Sequence, residues 1–542
     1  MKTRIDHATV LTCRNREVAV LKDTSVVFED GVITYVGPIS ELDVRSAASE
    51  HRGLAVGELK GRPLGAILVR MGVTTREQVA RAVERQRNTH GVIGNVLVQM
   101  GYVTEADVEI GLAVQAGRLL LPEGDDATVI DGSRSLLVPG LINTHHHLFQ
   151  SLTRCMPIAQ NLSLFDWLER LYPIWREMDY DAMKQASIIS MAELLLTGCT
   201  TTSDHAYLFP RDRDAKIEAV LEAAEMLGMR IHAGRGSMDL GQSAGGLPPD
   251  DCTQSADEIL ADSQRVIDLF HDPAPLAMRR IDLAPCAPFS VTPELLDATR
   301  ELAAQYGLLL HTHIAETSQE KQYCLERFSV SPIGYLHQHG WLADNVYLAH
   351  CVHLSDDEID LLARTGTAVA HCPSSNMRLA SGIAPVRKMI DAGIKVGLGV
   401  DGASSNDGGN LLSEARLALL SQRAEGDPAG LTADEAFRLA TVGGAQVLHR
   451  PQLGQIEPGC AADLALFDMD DVAMAGAVAH DLAAALMLAQ PPRPQHVFIA
   501  GRPVVWDGQI AGLNRQKVVR DFNHLVSEKF CGLAGANCPL GA

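Results

Sequence analysis

The chain has 542 residues, 46% of them hydrophobic, with 46 basic against 67 acidic residues and a formal charge of -21. Such a chain buries a large core over two or three structural units and is not disordered, and its acidic balance argues against nonspecific binding to nucleic acid or to an anionic membrane. The 11 cysteines are scattered without a CxxC pair, so neither a disulfide framework nor a structural zinc site is expected. The opening "MKTRIDHATVLTCRNREVAV" has no sustained apolar run, and no run of 18 apolar residues follows, so the expectation is a soluble, cytoplasmic protein that does not enter membranes.

Residues 1–48 read as short alternating strands, "EDGVITYVG" among them as a hairpin-like piece. Residues 57–118 then break the pattern. "PLGAILVRMGVTTREQVARAVERQ" from Pro63 recurs as "VIGNVLVQMGYVTEADVEIGLAVQ" from Val92, an offset of 29 residues that matches Gly65 to Gly94, Leu68 to Leu97, Met71 to Met100, Gly72 to Gly101 and Gln86 to Gln115. This is an internal helical repeat, each unit a short helix, a glycine turn, a threonine cap and a longer helix. It resembles the N-terminal repeat domain of type II secretion and pilus ATPases, some of which bind cyclic di-GMP. The resemblance is incomplete, because Pro63 and Val92 stand where that family usually has arginine before Leu-Gly. Between Glu58 and His90 seven basic residues (Lys60, Arg62, Arg70, Arg76, Arg81, Arg85, Arg87) face three acidic ones (Glu58, Glu77, Glu84). The expectation is a solvated helix face on an inserted packing or oligomerisation module, with cyclic di-GMP binding as the lesser alternative.

After a further strand-like stretch over 119–139, the chain repeats a short apolar run, a polar tip and a longer amphipathic segment. The strands are "LLVPGLIN", "GCTTTSDH", "MRIHAGRG", "RIDLAPCAP", "GLLLHTH", "VYLAHC", "TAVAHCP" and "KVGLGVDG". Between them, segments such as "TPELLDATRELAAQYG" carry apolar residues every three to four positions. Strand alternating with helix eight times predicts a (β/α)8 TIM-like barrel over 140–451 in an α/β fold. Nearly every strand ends in a polar or ionisable residue: His145 and His147, His205, Arg235, Cys286, His313, His350, His371 and Asp401. The carboxyl ends of barrel strands share one mouth, where active sites sit. Core histidines satisfied by hydrogen bonds account for His205 and His371, but not for the whole set.

On a strand, residues two apart share a face, so His145 and His147 chelate one ion while His146 points away. His313 and Asp401 complete three imidazoles and a carboxylate, a donor set suited to one divalent metal, Zn(II) first and Fe(II) second, with room for a water. Such an ion makes hydroxide available at neutral pH. His350 and Asp401 are placed to take the proton, and Glu316, three residues beyond His313, to pass one to a ring nitrogen and a leaving group.

"PGLINTHHH", "HTHIAET", "LAHCVHLS", "HCPSSNMRLASGI" and "GLGVDGASSND" resemble the amidohydrolase superfamily, in its branch of mononuclear-metal deaminases of heterocyclic bases. The resemblance implies that His145, His147, His313 and Asp401 are metal ligands, that Glu316 shuttles protons and that His350 orients the water. "RIDLAPCAPFS" lacks the bridging lysine of dinuclear branches, which implies one metal. It also implies a small β-sandwich built from both chain ends (1–48, 119–139 and 452–512), followed by a terminal helix and fraying tail over 513–542. Within the branch, "TSDHAYLFP", "GRGSMDLGQSAGGLPP" and "LAPCAPFSVTPE" are most similar to the 8-oxoguanine deaminases, which release ammonia to give urate. Deaminases of hydroxy-s-triazines and isocytosine are the alternative, and a metal-free scaffold carrying a signal-binding insert is a weaker one. Gln150, Trp167, Tyr207, Arg235 and Cys286 are the expected contacts to a small heterocyclic substrate. A homodimer is the expected assembly.

Overall fold

Eight parallel strands close on themselves in the computed structural model, which describes residues 2–14, 17–40, 62–70, 73–89, 92–115, 119–120, 128–489 and 492–534. In chain order they are Leu141–Asn143, Cys199–Ala206, Arg230–Ser237, Arg279–Pro285, Leu310–Ile314, Val346–His350, Ala368–His371 and Val396–Leu398. Each pairs with the next, and Leu398 opposite Asn143 shuts the ring. Three of the helices around the barrel start on reciprocal capping boxes, Ser255 with Glu258, Ser355 with Glu358 and Thr432 with Glu435. Gly366, at φ +74°, ends the helix Asp356–Thr365 in the left-handed conformation that turns the chain into the seventh barrel strand.

One expected strand divides in two. In "LLVPGLIN", Ser135–Pro139 belongs to a sheet outside the barrel and Leu141–Asn143 to the barrel itself. Gly140 is the joint, because a Cβ there would lie 2.1 Å from Thr200 Oγ1 on the second barrel strand. Any side chain would force the two sheets apart.

The outer sheet draws on both ends of the described chain. Its hydrogen-bonded path runs Gln509–Ile510, Arg502–Trp506, His496–Ile499, Leu464–Asp468, Ser135–Pro139, Lys2–Arg14, Glu17–Glu29 and Val32–Pro38. The expected sandwich is thus one continuous sheet rather than two separate ones. The reason lies in Lys2–Arg14: its 13 residues pair with Thr128–Asp131 along one half and with Ser135–Pro139 along the other, with register shifts between Ile5 and Val10 against its antiparallel partner. Such irregularities bend a strand and let one sheet enclose its own core. That core holds Ile5, Val26, Phe28, Leu137, Leu464, Phe498 and Trp506.

Among the described residues of the insert there are four helices, Leu64–Arg70, Arg76–Thr89, Ile93–Gln99 and Glu105–Gln115. Thr75 Oγ1 accepts from the Gln78 backbone N–H while Gln78 Oε1 accepts from that of Thr75, and Thr104 and Asp107 repeat the exchange. Leu64, Leu68, Ala82, Val96, Leu97 and Val103 make a small core of their own, and Ile67 joins the apolar cluster of the outer sheet. Met71, Gly72, Glu58, Lys60 and His90, the boundaries set at 48, 57 and 118, and the tail beyond 534 lie outside the described residues. Among the described residues no helix is long and apolar enough to cross a membrane. The helix Arg515–Val526 buries Phe522 and Leu525.

Barrel and sheet are bolted together by one buried ion pair. Arg230, at the start of the third barrel strand, donates through Nε and Nη2 to the two carboxylate oxygens of Asp463 at 2.8 and 2.9 Å, and through Nη1 to the carbonyls of Leu276 and Ala277. Asp463 also accepts the Ala500 backbone N–H at 2.7 Å. Removing the carboxylate strands a guanidinium that is fully buried. Asp463→Ala is therefore expected to cost about 3–5 kcal/mol, read as a fall in the denaturant midpoint against the wild type; an unchanged midpoint would show that the bolt carries no load.

Candidate metal centre

His145 and His147 leave the first barrel strand together, His313 sits on the fifth and Asp401 follows the eighth. Their donor atoms converge. Nε2 of His145 and of His147 lie 3.2 and 3.3 Å from Asp401 Oδ1, and the Nε2 atoms of His147 and His313 lie 3.0 Å apart. All four residues are buried.

The tautomers follow from what stands behind the rings. His147 Nδ1 lies 2.8 Å from the His205 carbonyl and His313 Nδ1 lies 2.7 Å from that of Cys286. A carbonyl only accepts, so Nδ1 carries the hydrogen in both rings and Nε2 presents a lone pair. Burial keeps His145 and His313 well below the usual imidazole pKa and lowers that of His147, so all three rings are neutral. Asp401 is buried beside these rings. Its Oδ2 accepts from Ser405 Oγ at 3.0 Å, leaving Oδ1 to the cluster. His145 Nε2 and Asp401 Oδ1 have no hydrogen-bond partner. A tetrahedral ion with bonds of about 2.0–2.2 Å sets its ligands roughly 3.3–3.6 Å apart, and the observed spacings approach that edge. The donors fit one divalent cation.

Beside this cluster, His350 Nδ1 donates to Asn376 Oδ1 at 2.8 Å and Nε2 faces Glu316 Oε2 at 3.5 Å. Although burial opposes it, the carboxylates of Glu316 and Asp401 raise the pKa of His350. Burial pushes Glu316 up to about 7. The turn that carries Glu316 is clamped by Glu320, whose Oε1 and Oε2 accept the backbone N–H groups of Ala315 at 3.0 Å and Glu316 at 2.7 Å. Ala315 pays for the clamp with φ +51°.

A pocket opens over the cluster, bordered by Glu316 and His350. Of the expected substrate contacts, Gln150, Trp167, Tyr207 and Cys286 line it. Arg235 does not. It donates to Asp262 at 2.8 Å and Gln254 at 2.9 Å and lies over the Phe209 ring, between the barrel and the helix Ala256–Phe270. The alternation of the third strand explains it, since His232, in phase with Gly234, turns to Asp282 inside the barrel and puts Arg235 outside. His205 donates through Nε2 to the Ala284 carbonyl and stacks on His313, while both ring nitrogens of His371 are buried without partners. Glu320, Asn376 and His311 also support the site, and of these only His311 is marked in the sequence, two residues before His313 as His145 is before His147.

The amidohydrolase family model matches residues 136–504. The chain is 45% identical over 415 residues to the 8-oxoguanine deaminase of Pseudomonas aeruginosa, covering 75% of this chain and 92% of that one. It is 35% identical over 446 residues to hydroxydechloroatrazine ethylaminohydrolase of Pseudomonas sp. strain ADP, covering 80% and 92%. Atrazine chlorohydrolase from Arthrobacter aurescens, solved in complex with zinc, superposes with a TM-score of 0.77 at 30% identity over 97% of this chain and 100% of that one. The chain belongs to the amidohydrolase family. The family match begins downstream of the helical insert and does not bear on what the repeats resemble. With three imidazoles in the donor set, His147→Ala is expected to lose its ion on desalting while the wild type retains about one divalent metal per chain, measured by elemental analysis; equal retention would remove His147 from the site.

Proposed function

We propose that this amidohydrolase is a metal-dependent hydrolytic deaminase of an amino-substituted heterocycle, and that it converts 8-oxoguanine and water to urate and ammonia. The observation that carries the reading is a pair of unpaired atoms in the pocket wall. Gln150 Oε1 and Trp167 Nε1 are buried without hydrogen-bond partners, one an acceptor and the other a donor. Buried polar atoms left unpaired are costly, so the pocket favours a flat ring whose edge offers both an N–H and a carbonyl. Leu164, Leu168, Phe289 and Leu379 supply apolar walls for such a ring. Resemblance to the Pseudomonas aeruginosa enzyme supports an oxidised purine, and that to the triazine enzyme makes a hydroxylated aminotriazine the second reading.

His145, His147, His313 and Asp401 would hold a divalent ion, zinc by analogy with the solved relative, which when bound would lower the pKa of water from about 15.7 towards about 7 and make hydroxide available at neutral pH. The chain's own groups do the rest. Glu316, with a carboxyl pushed up to about 7, is poised to take a proton and to return it to the ring nitrogen beside the attacked carbon. His350, fixed by Asn376, stands next to Glu316 and orients the attacking oxygen. The same carboxylate then takes the second proton from the hydroxyl added to the ring carbon and passes it to the amine, which departs as ammonia while the carbonyl forms. Turnover on 8-oxoguanine, guanine, isocytosine and a hydroxylated aminotriazine, with protein of measured metal content, tests the substrate: kcat/KM highest on 8-oxoguanine is expected, and activity on the triazine alone replaces the substrate while keeping the mechanism. Glu316→Gln is expected to keep its metal and lose about 100-fold or more in kcat; near-normal turnover would dismiss the proton shuttle.

A further inference from the structure

The three imidazoles at the centre are pinned from behind in two different ways. His147 and His313 lean on backbone carbonyls, which no substitution of a side chain removes. His145 leans on another side chain: its Nδ1 lies 2.7 Å from Nε2 of His311. His311 in turn places Nδ1 2.8 Å from the Tyr347 carbonyl oxygen. That oxygen only accepts, so the hydrogen of neutral His311 is on Nδ1 and its lone pair is on Nε2. His145 must then donate from Nδ1, and its own lone pair is left on Nε2, the atom that faces Asp401.

We propose that His311 is a positioning residue that locks His145 in its metal-binding tautomer through the relay from His145 to His311 to the Tyr347 carbonyl. The inference rests on the metal reading of the site. Three further observations support it. Both rings are fully buried, so a turned His311 would leave ring nitrogens unpaired away from water. The His311 ring lies flat on Tyr347, with centroids 4.0 Å apart and planes 10° apart. The Tyr347 hydroxyl is itself held, donating to Asp282 Oδ2 at 3.0 Å and lying 2.9 Å from Ser203 Oγ. The orientation of a ligand at the mouth is thereby set by hydrogen bonds deeper in the barrel.

The test compares zinc affinity of the full-length protein, by competition with a chelating indicator, across variants that keep or remove the acceptor. His311→Gln retains a side-chain oxygen able to accept from His145; His311→Met has similar bulk and no comparable acceptor. Removal of such an outer partner typically weakens metal binding roughly 10–100-fold, so His311→Met is expected to fall in that range while His311→Gln stays within about threefold of the wild type. The melting temperature of the zinc-free proteins separates a general packing defect from a ligand effect, and the two variants are expected to match there. Wild-type affinity in His311→Met, or equal losses in both variants, overturns the proposal. If His311→Met does not fold, the tautomer of His145 in the zinc-free wild type decides, read from imidazole 15N chemical shifts: the hydrogen is expected on Nδ1, facing His311, and a hydrogen on Nε2 overturns the proposal. A wild-type protein that binds no zinc instead overturns the metal reading itself, a result visible before any variant is made.

Discussion

Donor atoms from four buried residues, spaced 3.0–3.3 Å in their close pairs with lone pairs turned inward, set the terms for the rest of this structure. Such atoms repel one another and are out of reach of water, so they stay together only if each ring and carboxyl is held from behind. The fold meets that demand by closure. His145 and His147, His313 and Asp401 come from the first strand, the fifth and the end of the eighth, and these meet only because Leu398 pairs with Asn143. Strain collects at the same place: Ala315, His350 and Asp401 all take positive φ, at 51°, 72° and 60°, in a region that residues other than glycine seldom visit.

Much of this was legible in the sequence, for a reason that also marks the limit. Strand identity follows from short apolar runs, and the ends of barrel strands share a mouth, so the polar tips of "LINTHHH", "HTHIAE" and "GLGVDG" could be gathered without coordinates. Which face a residue takes is a matter of phase. In "INTHHH" the repeated histidines fix it, but in "RIHAGRG" both neighbours of Arg235 are glycines, and only the placement of His232 against Asp282 shows that Arg235 faces away from the pocket. The joint at Gly140 was hidden for another reason: the residue that requires it, Thr200, lies on a different strand. Nothing in the sequence distinguishes the satisfied indole of Trp175, which donates to Thr153, from the unsatisfied one of Trp167.

Polar groups inside the barrel are not confined to the mouth. Asp282 gathers His232, the Tyr347 hydroxyl and, through His232, Arg450, whose guanidinium also reaches the carbonyls of Pro275 and Ala277. These groups are deeply buried and satisfied, the condition under which a polar network rigidifies a core instead of loosening it. Chemistry at one end and cohesion at the other share a barrel interior, with His311 and Tyr347 between them.

The order of strands in the outer sheet also bears on how the protein is made. Ser135–Pro139 lies between Lys2–Arg14 and Leu464–Asp468, so one of its edges has no neighbour until the ribosome has synthesised the whole barrel. At roughly 5–20 residues per second that interval lasts for tens of seconds. An open strand edge of five buried residues is a template for pairing with other nascent chains. The brevity of that edge limits the hazard, and its completion by Leu464–Asp468 makes the sheet a late checkpoint that a chain truncated before that strand does not pass.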